Sequence, residues 1–149
     1  MYAPLLHVHS WLRWVVLAML VASIVRGFRG GAFTPRDGRV RTITVASVDT
    51  QVLLGVLLYV VGPMTPRSGA AFALYMKIAV FRFFTLEHPF GMLIALTVLH
   101  IFAVRSRKSE TDALQHRRMA IGASIALAVV LLSIPWPGLA YARPLFRLP

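Results

Sequence analysis

The chain has 149 residues, of which 58% are hydrophobic and 14% are charged, whereas a soluble domain usually carries about 25% charged residues. A core of this size cannot bury so much apolar surface, so the composition predicts an integral membrane protein and excludes soluble enzyme folds. The chain has no cysteine, which excludes disulfides, iron–sulfur clusters, c-type haem attachment and thiol nucleophiles. Histidine is therefore the main candidate for ligand chemistry.

The net charge of +11 comes from 16 basic and five acidic residues. Ten of the basic residues fall in two connections between apolar stretches: Arg26, Arg29, Arg36, Arg39 and Arg41 in one, and Arg105, Arg107, Lys108, Arg117 and Arg118 in the other. Short connections rich in Lys and Arg stay in the cytoplasm. The pattern predicts a multi-pass protein of the inner (cytoplasmic) membrane with both termini outside. We find no basic module with stacking aromatics, which argues against a nucleic-acid partner.

Four apolar runs follow in chain order, at residues 9–26, 42–62, 87–104 and 118–134. Since about 20 apolar residues cross a bilayer, each run predicts a transmembrane helix, and the short connections favour one up-down-up-down bundle over residues 1–149. Trp11 and Trp14 at the start of the first helix are typical of the aromatic belt at a membrane surface. The first basic cluster follows the apolar run instead of preceding it, which favours a retained helix over a cleaved signal peptide.

The segment between the second and third runs mixes aromatic and aliphatic residues with Lys77 and Arg82. We predict that Ser68–Thr85 forms an amphipathic helix on the outer surface of the membrane. A longer third helix, beginning near Ala70 and kinked at Pro89, also fits the sequence.

Polar residues inside apolar segments are the candidates for function, because ionisable groups at that depth are costly unless they are paired or used. His9 and Arg13 are four residues apart and share one face of the first helix. His88 begins the third helix, which runs parallel to the first in this topology. Two histidines that face each other across a bundle are what axial ligation of haem b requires. The sequence predicts that His9 and His88 ligate a haem near the outer face, with Arg13 and Arg82 beside its propionates.

Two alternatives use the same residues. In the first, His9 and His88 lie at the membrane interface without a cofactor, and Glu87 neutralises Arg13 or Arg82. In the second, Arg82 and the neighbouring phenylalanines form a site for a quinone head group.

His100 and His116 lie toward the inner side and are candidates for a second haem. The rise of 12 residues from His88 to His100 is about 18 Å, which is enough for two cofactors. However, 12 residues also rotate the chain by about 120° beyond whole turns, which points His88 and His100 to different sides. Asp49 lies at the depth of His100, so an ion pair between them is the competing interpretation. Asp49 and Glu87 could also carry protons in a transporter, although four helices without an internal repeat offer little support for one.

The second helix carries Gln51, Gly55 and Tyr59 at intervals of four residues. These positions share one helical face, which carries a polar, a small and an amphipathic residue in that order. Because glycine permits close helix approach and glutamine bonds across helices, we interpret this face as a helix-packing surface.

Four segments resemble a family of small bacterial four-helix membrane proteins that are often labelled cytochrome b-like: Leu6–Trp14, Gln51–Tyr59, Phe81–Met92 and Gln115–Arg118. The resemblance covers most of the chain, and Thr85–His88 is its most specific part. The residues at its motif positions are His9, Arg13, Gln51, Glu87, His88 and His116. The relatives often carry a histidine two residues before the glutamine, where this chain has Asp49, a poor haem ligand.

Two functions follow from these observations. The first is a b-type cytochrome that transfers electrons in the bacterial inner membrane, with one haem b or two. The second is a non-catalytic accessory subunit of a larger respiratory or photosynthetic complex, in which the histidines contact pigment, lipid or neighbouring subunits. In both cases the expected partners are membrane lipid and either other membrane subunits or a second copy of the chain. No catalytic residue is predicted.

Overall fold

A computed structural model describes residues 2–146, which are all-helical and contain no β-strand. The elements are α1 (Tyr2–Arg29), α2 (Pro35–Val61), α3 (Gly69–Tyr75), α4 (Ala79–Arg82), a π-helical turn (Phe83–Glu87), α5 (His88–Arg107) and α6 (Asp112–Leu132). The prediction of an all-α protein is confirmed.

Within residues 2–146, three helices are long and apolar enough to cross a membrane. They are α1 with 28 residues, α2 with 27 residues, and the continuous helix of 29 residues that α4, the π turn and α5 form together. α6 has 21 residues and is less apolar than these three helices, because Arg117 and Arg118 lie in its first half. All four long helices begin before the apolar runs predicted from the sequence.

Neighbouring helices run antiparallel. Gln51 near the end of α2 donates a hydrogen bond of 3.0 Å to the carbonyl of His9 near the start of α1. At the other end of this pair, Arg26 of α1 forms an ion pair of 2.7 Å with Asp37 of α2. We call the end that carries the α1–α2 and α5–α6 connections the loop end. The opposite end, which holds the start of α1 and the chain after α6, is the tail end.

Small residues on α6 bring the helices close together. Ala120, Ala123 and Ala126 are fully buried, and a Cβ atom on Gly122 would lie only 2.3 Å from Cβ of Phe102 on α5. On the other side of α6, a Cβ atom on Gly27 of α1 would lie 2.7 Å from Cβ of Ala120. This close approach through small side chains is the mode of packing that membrane helices use. α2 and α5 are the least closely packed neighbours, and a cavity opens between them.

The segment between α2 and α5 differs from the predicted single amphipathic helix over Ser68–Thr85. α3 ends at Tyr75, and the second half of the predicted helix belongs to the long helix that begins at Ala79. The alternative of a longer, distorted third helix is closer to the structure, although that helix begins later than Ala70. Pro89 lacks an N–H group and crowds the preceding turn, which the chain accommodates by widening it: the N–H of His88 donates to Phe83 O, five residues back.

Candidate cofactor site

The structure brings His9 and His88 together at the tail end. His9 lies in the third turn of α1, and His88 lies where the π turn passes into α5. Their ring centroids are 6.3 Å apart and the ring planes are inclined by 73°. Of the predicted site residues, these two form the closest approach of ligand-type side chains.

This separation suits a metal held between two imidazoles. A bond from a metal to an imidazole nitrogen is about 2 Å, and the centre of the ring lies about 1 Å behind that nitrogen. Two opposed imidazoles on one metal therefore have centroids about 6 Å apart, and the distance between His9 and His88 is close to this value. Nε2 of His9 lies 3.2 Å from the Gln51 amide nitrogen, so His9 would have to exchange this contact for the metal. Within residues 2–146, no three His, Cys, Asp or Glu side chains are grouped to hold a bare metal ion. A haem iron needs only two axial ligands, since the macrocycle supplies the others.

A backbone carbonyl fixes the orientation of His88. Nδ1 of His88 lies 2.7 Å from Ser133 O at the end of α6, and because a carbonyl only accepts, Nδ1 carries the proton. Nε2 is then the nitrogen with a lone pair, which is the usual state of a histidine that ligates a metal. Gly91 makes this contact possible, since a Cβ atom there would lie 2.2 Å from Oγ of Ser133.

His9 is oriented by Gln51 of α2. Nε2 of Gln51 lies 3.2 Å from Nε2 of His9 and 3.0 Å from its carbonyl oxygen. Nδ1 of His9 and Oε1 of Gln51 are buried, and neither has a hydrogen-bond partner in the described part of the chain. Buried polar atoms without partners are uncommon in folded proteins. A further group in the site could supply the missing partners of these two atoms.

Two cavities meet at the histidine pair. The larger one, about 400 Å³, opens between α2 and α5, and its volume lies in the range of small-molecule sites. A smaller cavity of about 90 Å³ lies toward the core. His9, His88, Gln51, Phe84 and Arg143 belong to the walls of both. The two imidazoles therefore stand at the junction of the cavities, whose walls are mostly apolar.

The face of α2 that we interpreted as a packing surface lines the larger cavity instead. Gln51, Gly55 and Tyr59 all belong to its wall. A Cβ atom on Gly55 would lie 3.4 Å from Cε1 of His9, so the imidazole packs close to this glycine. The spacing of four residues was the sequence signal for this wall, but it does not distinguish a packed face from one that lines a cavity.

Arg13 and Arg82, the predicted propionate partners, lie in different surroundings. The Arg13 guanidinium donates to the backbone carbonyl of Leu145 and lies 5.3 Å from the centre of the Trp14 ring. Arg82 forms a half-exposed ion pair of 2.7 Å with Glu87 and belongs to neither cavity wall. The arrangement at Arg82 is the one expected if Glu87 serves to neutralise it.

The chain after α6 folds back over the tail end, and we call residues 135–146 the C-terminal tail. Tyr141 stacks on Phe83 with centroids 3.8 Å apart, and Phe146 stacks on Trp14 with centroids 5.0 Å apart. Between these two anchors, the Arg143 guanidinium lies 5.1 Å from the centre of the Phe84 ring. Sequence reasoning missed Arg143, because it follows a proline-rich break and has no helical register to place it.

His100 and His116 are not brought together. His100 forms an ion pair of 2.7 Å with Asp49 on the partly exposed side of α2 and α5. His116 is buried under the α1–α2 connection, where its ring lies 4.9 Å from that of Phe33 and its Nε2 lies 3.5 Å from Ala32 O. The two rings engage different elements, so they do not form the opposed pair that a second haem would need. The geometry at His100 is the one expected from the ion-pair interpretation.

No family model, no curated protein and no solved structure matches this chain. The resemblance to cytochrome b-like membrane proteins therefore stays an expectation from sequence. Any functional assignment depends on the chemistry of the histidine pair and its surroundings.

Proposed function

We propose that this chain is a bacterial inner-membrane protein of the cytochrome b type, which holds one haem b between His9 and His88 and transfers electrons. The observation that carries the proposal is the opposed pair of imidazoles, 6.3 Å apart, at the junction of two mostly apolar cavities. Bound haem would supply one-electron redox chemistry at its iron.

The chain's own residues would prepare the two ligands. The Ser133 carbonyl accepts the Nδ1 proton of His88, which holds the ring in place and raises the basicity of the other nitrogen. Gln51 holds the backbone of His9 by donating to its carbonyl, and the contact of the Gln51 amide with Nε2 of His9 would be exchanged for the iron. The apolar walls restrict water, and low polarity around a haem is one of the factors that set its reduction potential.

We further propose that α6 is a fourth transmembrane helix and that the four long helices form an up-down-up-down membrane bundle. Its residues from Met119 to Leu132 include no charged side chain, and it packs against both α1 and α5. The ten basic residues in and beside the two loop-end connections would face the cytoplasm by the positive-inside rule. The histidine pair and both termini would then lie near the outer surface.

A second candidate is an accessory subunit of a larger membrane complex, and the Asp49–His100 pair favours it. Both side chains are nearly half exposed, at 44% and 48%, although they lie within helices that are apolar enough to cross a membrane. Ionisable groups in such segments usually face protein or water and not lipid. A neighbouring helix, from another subunit or from a second copy, would cover the pair. A cytochrome that is also a subunit would satisfy both candidates.

The test is a reduced-minus-oxidised absorption spectrum of the full chain purified from haem-replete cells, together with His9→Ala, His88→Ala and His100→Ala variants. We expect Soret and α bands in the wild type, their loss in His9→Ala and His88→Ala, and their retention in His100→Ala. Colourless wild-type protein would refute the proposal. Bands that survive both of the first two substitutions would assign the haem to other ligands.

A further inference from the structure

Arg143 is a basic residue of the candidate site that the sequence did not predict. It lines both cavities beside the histidine pair. Of the expected cations, Arg82 pairs with Glu87 and lines neither cavity, whereas Arg13 lines the smaller cavity alone and donates to the carbonyl of Leu145. Arg143 is therefore the guanidinium that both cavities share.

The charge of Arg143 is not balanced by the described part of the protein. Within residues 2–146, no carboxylate lies within ion-pair distance of its guanidinium, and neither cavity wall includes an Asp or a Glu. A cation beside apolar walls is costly unless an anion accompanies it. The cavities are therefore suited to a ligand that is apolar over most of its surface and carries an acidic group.

Packing fixes the place of this cation relative to the histidines. The backbone N–H of Arg143 donates to Pro135 O at 3.1 Å, and its guanidinium lies 5.1 Å from the Phe84 centroid. The Phe84 ring is in turn 6.2 Å from that of His88. A single aromatic ring therefore separates the cation from one of the two proposed ligands.

From these contacts we infer that Arg143 binds a carboxylate of the haem, a propionate, and that the C-terminal tail is a wall of the cofactor site. This inference rests on the proposed function. A guanidinium presents two parallel N–H groups that match a carboxylate, and haem b carries two propionates on an otherwise apolar ring. The stacking of Tyr141 on Phe83 and of Phe146 on Trp14 holds the tail where Arg143 reaches the cavities.

The test measures the affinity of the full chain for two forms of the cofactor. Protein produced in haem-deficient cells is titrated in detergent with hemin and with hemin dimethyl ester, whose carboxylates are blocked. The variants are Arg143→Gln, Arg143→Lys and, as a matched control, Arg82→Gln. Thermal unfolding of each variant without cofactor establishes that it is folded.

We expect Arg143→Gln to weaken hemin binding by roughly tenfold or more, the usual effect of losing a hydrogen bond to a charged group. It should leave binding of the dimethyl ester within about twofold of wild type. Arg143→Lys should retain part of the hemin affinity, because a point charge replaces the planar fork. Arg82→Gln should bind both forms as the wild type does.

Three results would overturn the inference. An unchanged hemin affinity in Arg143→Gln would show that the guanidinium does not bind the propionate. An equal loss for hemin and its dimethyl ester would assign Arg143 to packing of the tail. If wild-type protein binds neither form, the proposed function is wrong and the inference falls with it. If wild-type protein binds hemin, and binding depends on His9 and His88 but not on Arg143, only the inference is wrong.

Discussion

The histidines at the two ends of the helix assembly lie in different surroundings. At the tail end, His9 and His88 face each other across 6.3 Å, and cavities lie on both sides of the pair. At the loop end, His116 packs on an aromatic ring of the α1–α2 connection, and nearer the middle His100 is paired with Asp49. The residue type is the same throughout. What differs is the surroundings: His9 and His88 line two cavities, whereas His100 and His116 line neither, although Nδ1 of His116 is also buried without a hydrogen-bond partner in the described part of the chain.

Local backbone features explain why the tail end stays open. The π turn that ends at Glu87 leads into Pro89, and such widened turns are frequent at functional sites. Gly91 then allows the end of α6 to approach α5 so closely that a carbonyl reaches His88. In contrast, the small residues at Gly27 and Gly122 bring α6 into direct contact with side chains or backbone of α1 and α5, which closes the interior toward the loop end.

The largest effect expected from this contrast concerns His88 and His116. His88→Ala should reduce the haem content of the purified protein to background, because one of the two axial ligands is lost. His116→Ala removes a buried ring from the α1–α2 connection, so it should lower the thermal stability while haem content per chain stays at the wild-type level. The pyridine haemochrome assay measures the haem content of the two variants, and thermal unfolding measures their stability. Equal loss of haem in the two variants would mean that the ends do not differ in function.

The next effect concerns the contact between Gly91 and Ser133. Gly91→Ala should destabilise the protein by about 1–3 kcal/mol, as expected for overpacking, and weaken haem binding, because the new methyl group displaces the carbonyl that holds His88. Adding Ser133→Ala to this variant removes the Oγ atom that the new methyl group would meet. The double variant should therefore recover much of the lost stability and haem binding.

A double-mutant cycle over these two positions measures their coupling, with unfolding in a denaturing detergent as the readout. We expect the two effects to be strongly non-additive. Additive effects would show that Gly91 does not control the approach of α6 to His88.

A smaller effect is expected at Gln51. Gln51→Leu leaves the His9 carbonyl and Nε2 without their amide donor, which should cost about 1 kcal/mol and shift the α band or the midpoint potential of the bound haem. Thr50→Val is the control, since the Thr50 hydroxyl is exposed and bonds only within its own helix, to Ala46 O. A Gln51→Leu protein with wild-type spectrum, potential and stability would contradict the role assigned to Gln51.

The smallest effect is expected at the Asp49–His100 pair. Because both groups are nearly half exposed, Asp49→Asn should change stability by less than about 1 kcal/mol and leave the haem spectrum unchanged. Unfolding and absorption spectra of the isolated chain check this. A shifted haem spectrum would show that the Asp49–His100 pair communicates with the tail-end site.

The sequence was sufficient for the helices and for the proximity of His9 and His88. Apolar length placed helical segments at all four expected positions, and the helical register together with the chain order pointed to His9 and His88. Only three of these helices, α1, α2 and the helix that includes α5, reach the length and apolarity of a membrane span. All four long helices begin before the apolar runs, since hydropathy does not report the helical turns that precede an apolar run.

The rest of the site depends on contacts between distant parts of the chain. Ser133 reaches His88 through its backbone carbonyl, and Arg143 reaches the cavities from a segment without regular structure; neither leaves a periodic signal. Charge alone favoured Arg82, but the sequence does not reveal that Glu87 already pairs with it. Likewise, the face of α2 from Gln51 to Tyr59 has the same pattern whether a helix or a cavity lies against it.

The opposed histidine pair is tested most directly by the absorption spectrum of His88→Gly protein that is titrated with hemin in detergent, first without and then with added imidazole. Removal of the ring leaves space for a free imidazole beside the cavities. The predicted result is loss of the low-spin spectrum and its return when imidazole is added. A low-spin spectrum identical to that of wild type without added imidazole would show that His88 is not an axial ligand.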